Sequence, residues 1–68
     1  MKLISGKQLV KIVQAHGWSL ARVNGSHHIF KHADKTGPLV IPVHGNETLK
    51  IGLLRALMKT ADLKESDL

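Results

Sequence analysis

Apolar residues at Leu9, Val10, Ile12 and Val13 recur with the spacing of one helix face, while Lys7, Lys11 and Gln14 fall on the wet side between them. Ser5 stands where an N-cap is needed and Gly17 where a helix ends, so the pattern predicts a first helix between the two. From Trp18 to Asn24 it loosens into a weak alternation of β-compatible residues. Asn24-Gly25 is then the favoured pair for a two-residue hairpin turn, which predicts a return strand from about Ser26 to His32. In that register Val23 faces Ser26, Arg22 faces His27 and Leu20 faces Ile29, making Arg22 the first cation beside His27.

The stretch Ala33-Asp34-Lys35-Thr36-Gly37-Pro38 has the polar, glycine and proline chemistry of a loop, after which Leu39, Ile41 and Val43 alternate as a third strand. Pro42 has no N–H for a ladder and places that strand at an edge. A turn at His44-Gly45-Asn46 follows. Thr48 is positioned as the N-cap of a second helix with Ile51, Leu54, Leu57 and Met58 as its apolar stripe, and the polar end from Asp62 to Leu68 is expected to fray or form a short turn. The predicted order is helix, three strands, helix. An α+β fold in which both helices cover one face of a three-stranded antiparallel sheet is the simplest way to bury these stripes, and it is the architecture of a double-stranded-RNA-binding domain.

Sixty-eight residues leave room for a single domain over residues 1–68, so any function has to sit on the surface of the one core. Ten Lys and Arg against five Asp and Glu give a net charge of +5, which points to a polyanion or an acidic protein as partner. Trp18 and Phe30 are the only aromatic residues besides the histidines. That argues against a nucleic-acid binder built on base stacking, and both rings are expected in the packing. The absence of cysteine rules out a disulfide framework and a thiolate zinc site. No signal peptide or membrane-spanning run is evident, so the chain is expected to work in the cytoplasm without a membrane contact.

Five histidines raise the question of a metal. His27 and His28 are neighbours in a predicted strand and point to opposite faces, no zinc-type spacing is present, and no metal or other cofactor is expected. Acid–base chemistry on RNA suits the composition better, because RNA carries its own nucleophile in the 2′-hydroxyl. Cleavage then needs a base, a donor to the leaving oxygen and positive charge for the phosphorane. His27 is the candidate base or acid, held in the segment Gly25-Ser26-His27, with Arg22 and Lys31 as candidates for the phosphate and His44 as a possible second proton carrier. Lys7 and Lys11 on the first helix, and Lys50 and Arg55 on the second, are candidates for the RNA backbone; each would serve equally on a solvated helix face or against an acidic partner. His16 sits where a helix C-terminus favours a cation, and His28 and His32 read as surface residues.

Gly25-Ser26-His27-His28-Ile29-Phe30, followed by Ile41-Pro42-Val43-His44 and then by Leu49, Gly52, Leu54 and Leu57-Met58-Lys59, resembles the HicA family of toxin mRNA interferases over essentially the whole chain. The first helix, Gly17-Trp18 and Arg22 extend the likeness. One departure is Leu53, where the family is expected to carry a small hydroxylated residue after the glycine. The resemblance implies a double-stranded-RNA-binding-like fold and a metal-independent endoribonuclease that cleaves mRNA and blocks translation. It also implies His27 as the catalytic histidine, His44 as the histidine of the Pro-x-His motif, and a HicB-type antitoxin that masks the active site. Operator DNA binding is expected of that partner, since no recognition helix is evident here. The alternatives are a non-catalytic small basic RNA-binding module and a simple protein-interaction domain.

Overall fold

In the computed structural model, which describes residues 1–68, the first helix, α1 (Gly6–Ala15), opens on a capping box. The Gln8 N–H donates to Ser5 Oγ at 3.1 Å and the Ser5 N–H donates to Gln8 Oε1 at 2.9 Å, so two donors left over at the helix start are satisfied reciprocally. Leu9 and Val13 are fully buried on its inner face. His16 is the C-cap, and Gly17 follows at φ +93°, the left-handed conformation that favours glycine after a helix.

The sheet consists of β1 (Ser19–Asn24), β2 (His27–Lys31) and β3 (Leu39–Pro42), antiparallel throughout, with β2 central. The hairpin between β1 and β2 departs from the expected one. Asn24 pairs with His27, Val23 with His28 and Arg22 with Ile29, so the two turn residues are Gly25 and Ser26 rather than Asn24 and Gly25. Gly25 lies at φ +62° and Ser26 does not, as in a type II′ turn, which puts glycine at the first central position. A bulge at Ala21 then shifts the register by one residue, so that Leu20, expected opposite Ile29, pairs with Phe30 rather than with the Lys31 that the turn alone would have set against it. As the proline predicts, β3 is an edge strand: the Val43 N–H, one residue beyond it, donates inward to the Ser26 carbonyl at 2.8 Å, which by alternation turns the Pro42 nitrogen outward.

Both helices pack on one face of this sheet, giving the order α-β-β-β-α. Phe30, Leu39 and Ile41 point from the strands into a core shared with Leu9 and Val13 of α1 and with Leu54, Leu57 and Met58 of α2 (Ile51–Ala61); Trp18 is buried in it as well. Two sequence expectations about α2 are corrected. Its N-cap is Lys50, with no side-chain cap, because Thr48 is in an extended bridge to Ser5 and the Leu49 N–H donates to the Ile4 carbonyl at 2.9 Å. Ile51, expected in the buried stripe, is 45% exposed. No helix is long and apolar enough to cross a membrane.

The last residues are folded back rather than frayed. Asp62 ends α2 in the left-handed conformation, Leu63 is buried, and a short 3₁₀ turn (Glu65–Asp67) returns to the end of α1. There His16 Nδ1 donates to the Ile12 carbonyl at 2.8 Å, and its Nε2 lies 3.4 Å from the Asp67 carboxylate. Both ring nitrogens bear a proton only in the imidazolium. The Ile12 carbonyl first, and the Asp67 charge after it, therefore hold the His16 pKa above its ordinary value. Asp67 is held below the usual carboxylate range, chiefly by the Lys64 N–H donating at 2.7 Å and further by His16.

The signs define a window. The raised imidazole contributes below its ordinary value of about 6.5 and is lost as pH rises through its folded value; the lowered carboxylate contributes above about 3.9 and is lost as pH falls through its own. The C-terminal turn should therefore be held best in mildly acidic solution. Amide exchange at Leu68, followed across pH alongside an NMR titration of the His16 ring, should show protection declining above neutrality, with that decline absent in His16→Ala.

Candidate functional site

Directly opposed residues share a face of an antiparallel sheet, so the pairing sorts the histidines and cations at once. His28, expected on the surface, is half-buried opposite Ile41 on the core side, because strand alternation turns it the same way as Phe30, while His27 pairs with Asn24 and Pro42 on the side away from the helices. The expectation that the two rings point oppositely holds. The open face also carries Arg22, Ile29 and Val40 as one row across the strands, with Lys31 pairing Ser19 beyond it.

His27 is placed by the turn. Gly25 permits the tight reversal, Ser26 anchors its far side by accepting the Val43 N–H, and His27 is the first residue of β2. The same bond sets the start of the following segment, in which His44 lies two residues beyond the Pro42 that pairs with His27. Gly6 at the start of α1 backs this corner: a Cβ there would run into the Pro42 carbonyl group, so only glycine allows the helix to approach so closely.

The ring nitrogens separate the five histidines further. His16 is bonded to Ile12 and Asp67; His28 Nδ1 is 3.4 Å from the Ser26 carbonyl; His32 is bonded at both nitrogens. His27 and His44 are exposed and carry rings free of bonds within the chain, available to a bound molecule.

The cations are distributed differently from the sequence expectation. Arg22 is opposite Ile29 and so diagonal to His27, about 7–8 Å between backbones. Lys31 is four residues along the strand from His27, roughly 13 Å away. Lys50 shares a hollow with Pro42, His44 and Glu47 at the His27 end. Lys7 and Lys11 line a separate hollow between α1 and the Asn46–Thr48 segment, and Arg55 belongs to another, with Met1 and Glu65. Of the sequence candidates, then, Gly25, Ser26, His27, Arg22, His44 and Lys50 collect at one end of the sheet, whereas Lys31, Lys7, Lys11 and Arg55 do not. No three His, Asp or Glu side chains converge as a metal site would require.

His32, expected on the surface, is instead half-buried and joins three parts of the fold. Its Nδ1 accepts the Asp34 N–H at 3.0 Å and its Nε2 donates to the His16 carbonyl at 3.0 Å, which assigns the Nε2–H tautomer. Its ring meets Trp18 edge-on, with centroids 5.2 Å apart. It thus pins the loop after β2 to the end of α1. Only the position of Gly17-Trp18 ahead of a histidine-ended strand hinted at it. His32→Ala is expected to lose about 1–2 kcal/mol in denaturant unfolding, chiefly because Trp18 loses the ring it packs on and the loop loses its tie to α1; the Asp34 N–H and the His16 carbonyl are exposed and turn to water.

No curated protein matches the chain significantly. The sequence profile of a family described as the HicA toxin of bacterial toxin-antitoxin systems matches residues 6–63, from the first residue of α1 to the buried Leu63. That span takes in the turn, all three strands and both helices, and the chain accordingly belongs to the HicA family of bacterial toxins.

Proposed function

We propose that this chain is a metal-independent endoribonuclease whose toxicity comes from cutting mRNA, with His27 as its acid–base group. The observation that carries this reading is the free imidazole of His27 on the open sheet face, diagonal to Arg22 and at the same end as the second free imidazole, His44. A base at this position takes the proton of an RNA 2′-hydroxyl. The 2′-oxygen attacks the adjacent phosphorus, the bond from phosphorus to the 5′-oxygen breaks, and an acid returns a proton to that oxygen, leaving a cyclic phosphate and a free 5′-hydroxyl. Arg22 supplies charge to the phosphorane, where a positioned cation gains most. His27 and His44 share the two proton transfers.

Gly25 and Ser26 act through position, by setting the turn that aims His27. The family membership supports an antitoxin partner, which we take to be a HicB-type protein that covers the His27 end of the open face. The test is cleavage of a long unstructured RNA by purified protein in a chelator. Cyclic-phosphate ends in the products support the mechanism. Salt-dependent RNA binding without any cleavage would make the chain a binding module instead.

A further inference from the structure

The open face of the sheet does not end at His27. Beyond the Arg22–Ile29–Val40 row lies a concavity of about 620 Å³, walled on its far side by the loop between β2 and β3. Its floor is Ile29 and Val40, its wall includes Pro38, and its cations are Arg22, Lys31 and Lys35; no carboxylate lines it. Lys35 also reaches Asp62 at 3.8 Å, but that pair is exposed, and such pairs are held weakly. Arg22 and Lys31 are paired with no acid. The wall is a built feature rather than a slack loop, because the Lys35 N–H donates to the His32 carbonyl at 3.2 Å and the Asp34 N–H to the His32 ring.

Cations without acids around an aliphatic floor suit a nucleotide, with phosphates held at the rim and a base in apolar contact with Ile29 and Val40 rather than stacked on a ring. Its position narrows the ligand further. It lies on the same face as His27 and along the same strand, on the side of the sheet away from both helices. A strand whose scissile phosphate is at His27 and which continues along β2 therefore enters it.

Resting on the ribonuclease reading, the geometry points to this groove as a subsite for single-stranded RNA, which holds nucleotides flanking the scissile bond between the Arg22–Lys31 rim and the Lys35–Pro38 wall. The substrate then lies across the open sheet face instead of against the helix layer. A rigid duplex is a poorer fit, because a few nucleotides must follow a concavity between strand and loop.

Binding can be measured apart from cleavage in the His27→Ala protein, by fluorescence anisotropy of a labelled short unstructured RNA at several salt concentrations. Adding Lys31→Glu or Lys35→Glu should weaken binding by roughly tenfold or more and reduce the salt slope by about one for each phosphate no longer neutralised. Lys2→Glu, the same charge change at an exposed residue that does not line the groove and whose neighbour Met1 lies against Arg55, Met58 and Glu65, should have a clearly smaller effect. The same oligonucleotide annealed to its complement should bind less tightly than the single strand.

Equal losses for Lys2 and Lys31, or a preference for the duplex, would overturn the subsite. So would loss of antitoxin binding with RNA affinity unchanged, which would assign the groove to the protein partner. The two readings fail separately: a parent protein that never cuts RNA removes the catalytic one, while the pattern among these variants still decides where RNA lies.

Discussion

Replacing His27 by alanine is expected to lower the rate of RNA cleavage by about 10²–10⁴-fold, the range that a positioned proton carrier supplies. The thermal midpoint should barely move, because the ring is exposed and makes no bond within the chain. The informative control is the neighbouring residue. His28→Ala removes a half-buried ring from the core side of the same strand, so it should cost stability yet retain cleavage once folded. That opposite pattern in adjacent histidines would be hard to produce from a general effect on the strand. A bell-shaped pH profile for the parent, losing one limb in His44→Ala, would assign the second proton carrier. Undiminished cleavage by folded His27→Ala would end the acid–base assignment outright.

Gly6→Ala is the second large effect, and its sign is the opposite of what helix propensity suggests. Alanine is better than glycine within a helix by about 1 kcal/mol, so the sequence alone recommends the change. In the fold, however, the new Cβ would overlap the Pro42 carbonyl oxygen and lie 3.1 Å from its carbon, and both are backbone atoms without a rotamer to escape into. Either α1 tilts off the sheet or β3 moves. We expect a net loss of about 1–3 kcal/mol, in the range of overpacked cores, and a fall in melting temperature of several degrees per kcal/mol for a chain this short. Because Pro42 pairs with His27, cleavage by the folded fraction should fall as well. A melting temperature equal to or above the parent's would show that the close approach is not needed.

Much of this architecture was legible because its signals are local. Ser5 caps the helix it immediately precedes, and the apolar stripe of α1 needs only its own periodicity, as do Leu54, Leu57 and Met58 in α2, although Ile51 of that pattern is left exposed. A proline without an N–H places β3 at the edge whatever it packs against. The hairpin register was not legible, because Asn24-Gly25 and Gly25-Ser26 are both sound two-residue turns that differ in which position takes the positive φ. Moving the turn by one residue changed each partner by two, so Arg22 and His27 stayed on one face but are no longer directly opposed. The bulge at Ala21 then returned Leu20 to the side of Phe30.

By itself, then, the sequence determined the order of elements, the Ser5 cap of α1, a tight turn at Gly25 just ahead of His27, the net charge of +5 and the motif by which the family is recognised. These depend on neighbours a few residues apart. Only the tertiary structure decided which of five histidines have free rings, that Lys31 lies along the strand from His27 rather than beside it, that His32 ties a loop to a helix end, and that Gly6 must remain without a side chain. Each of those is set by groups distant in sequence meeting across the sheet or at a helix end, where an approach of a few ångströms has no counterpart in local spacing.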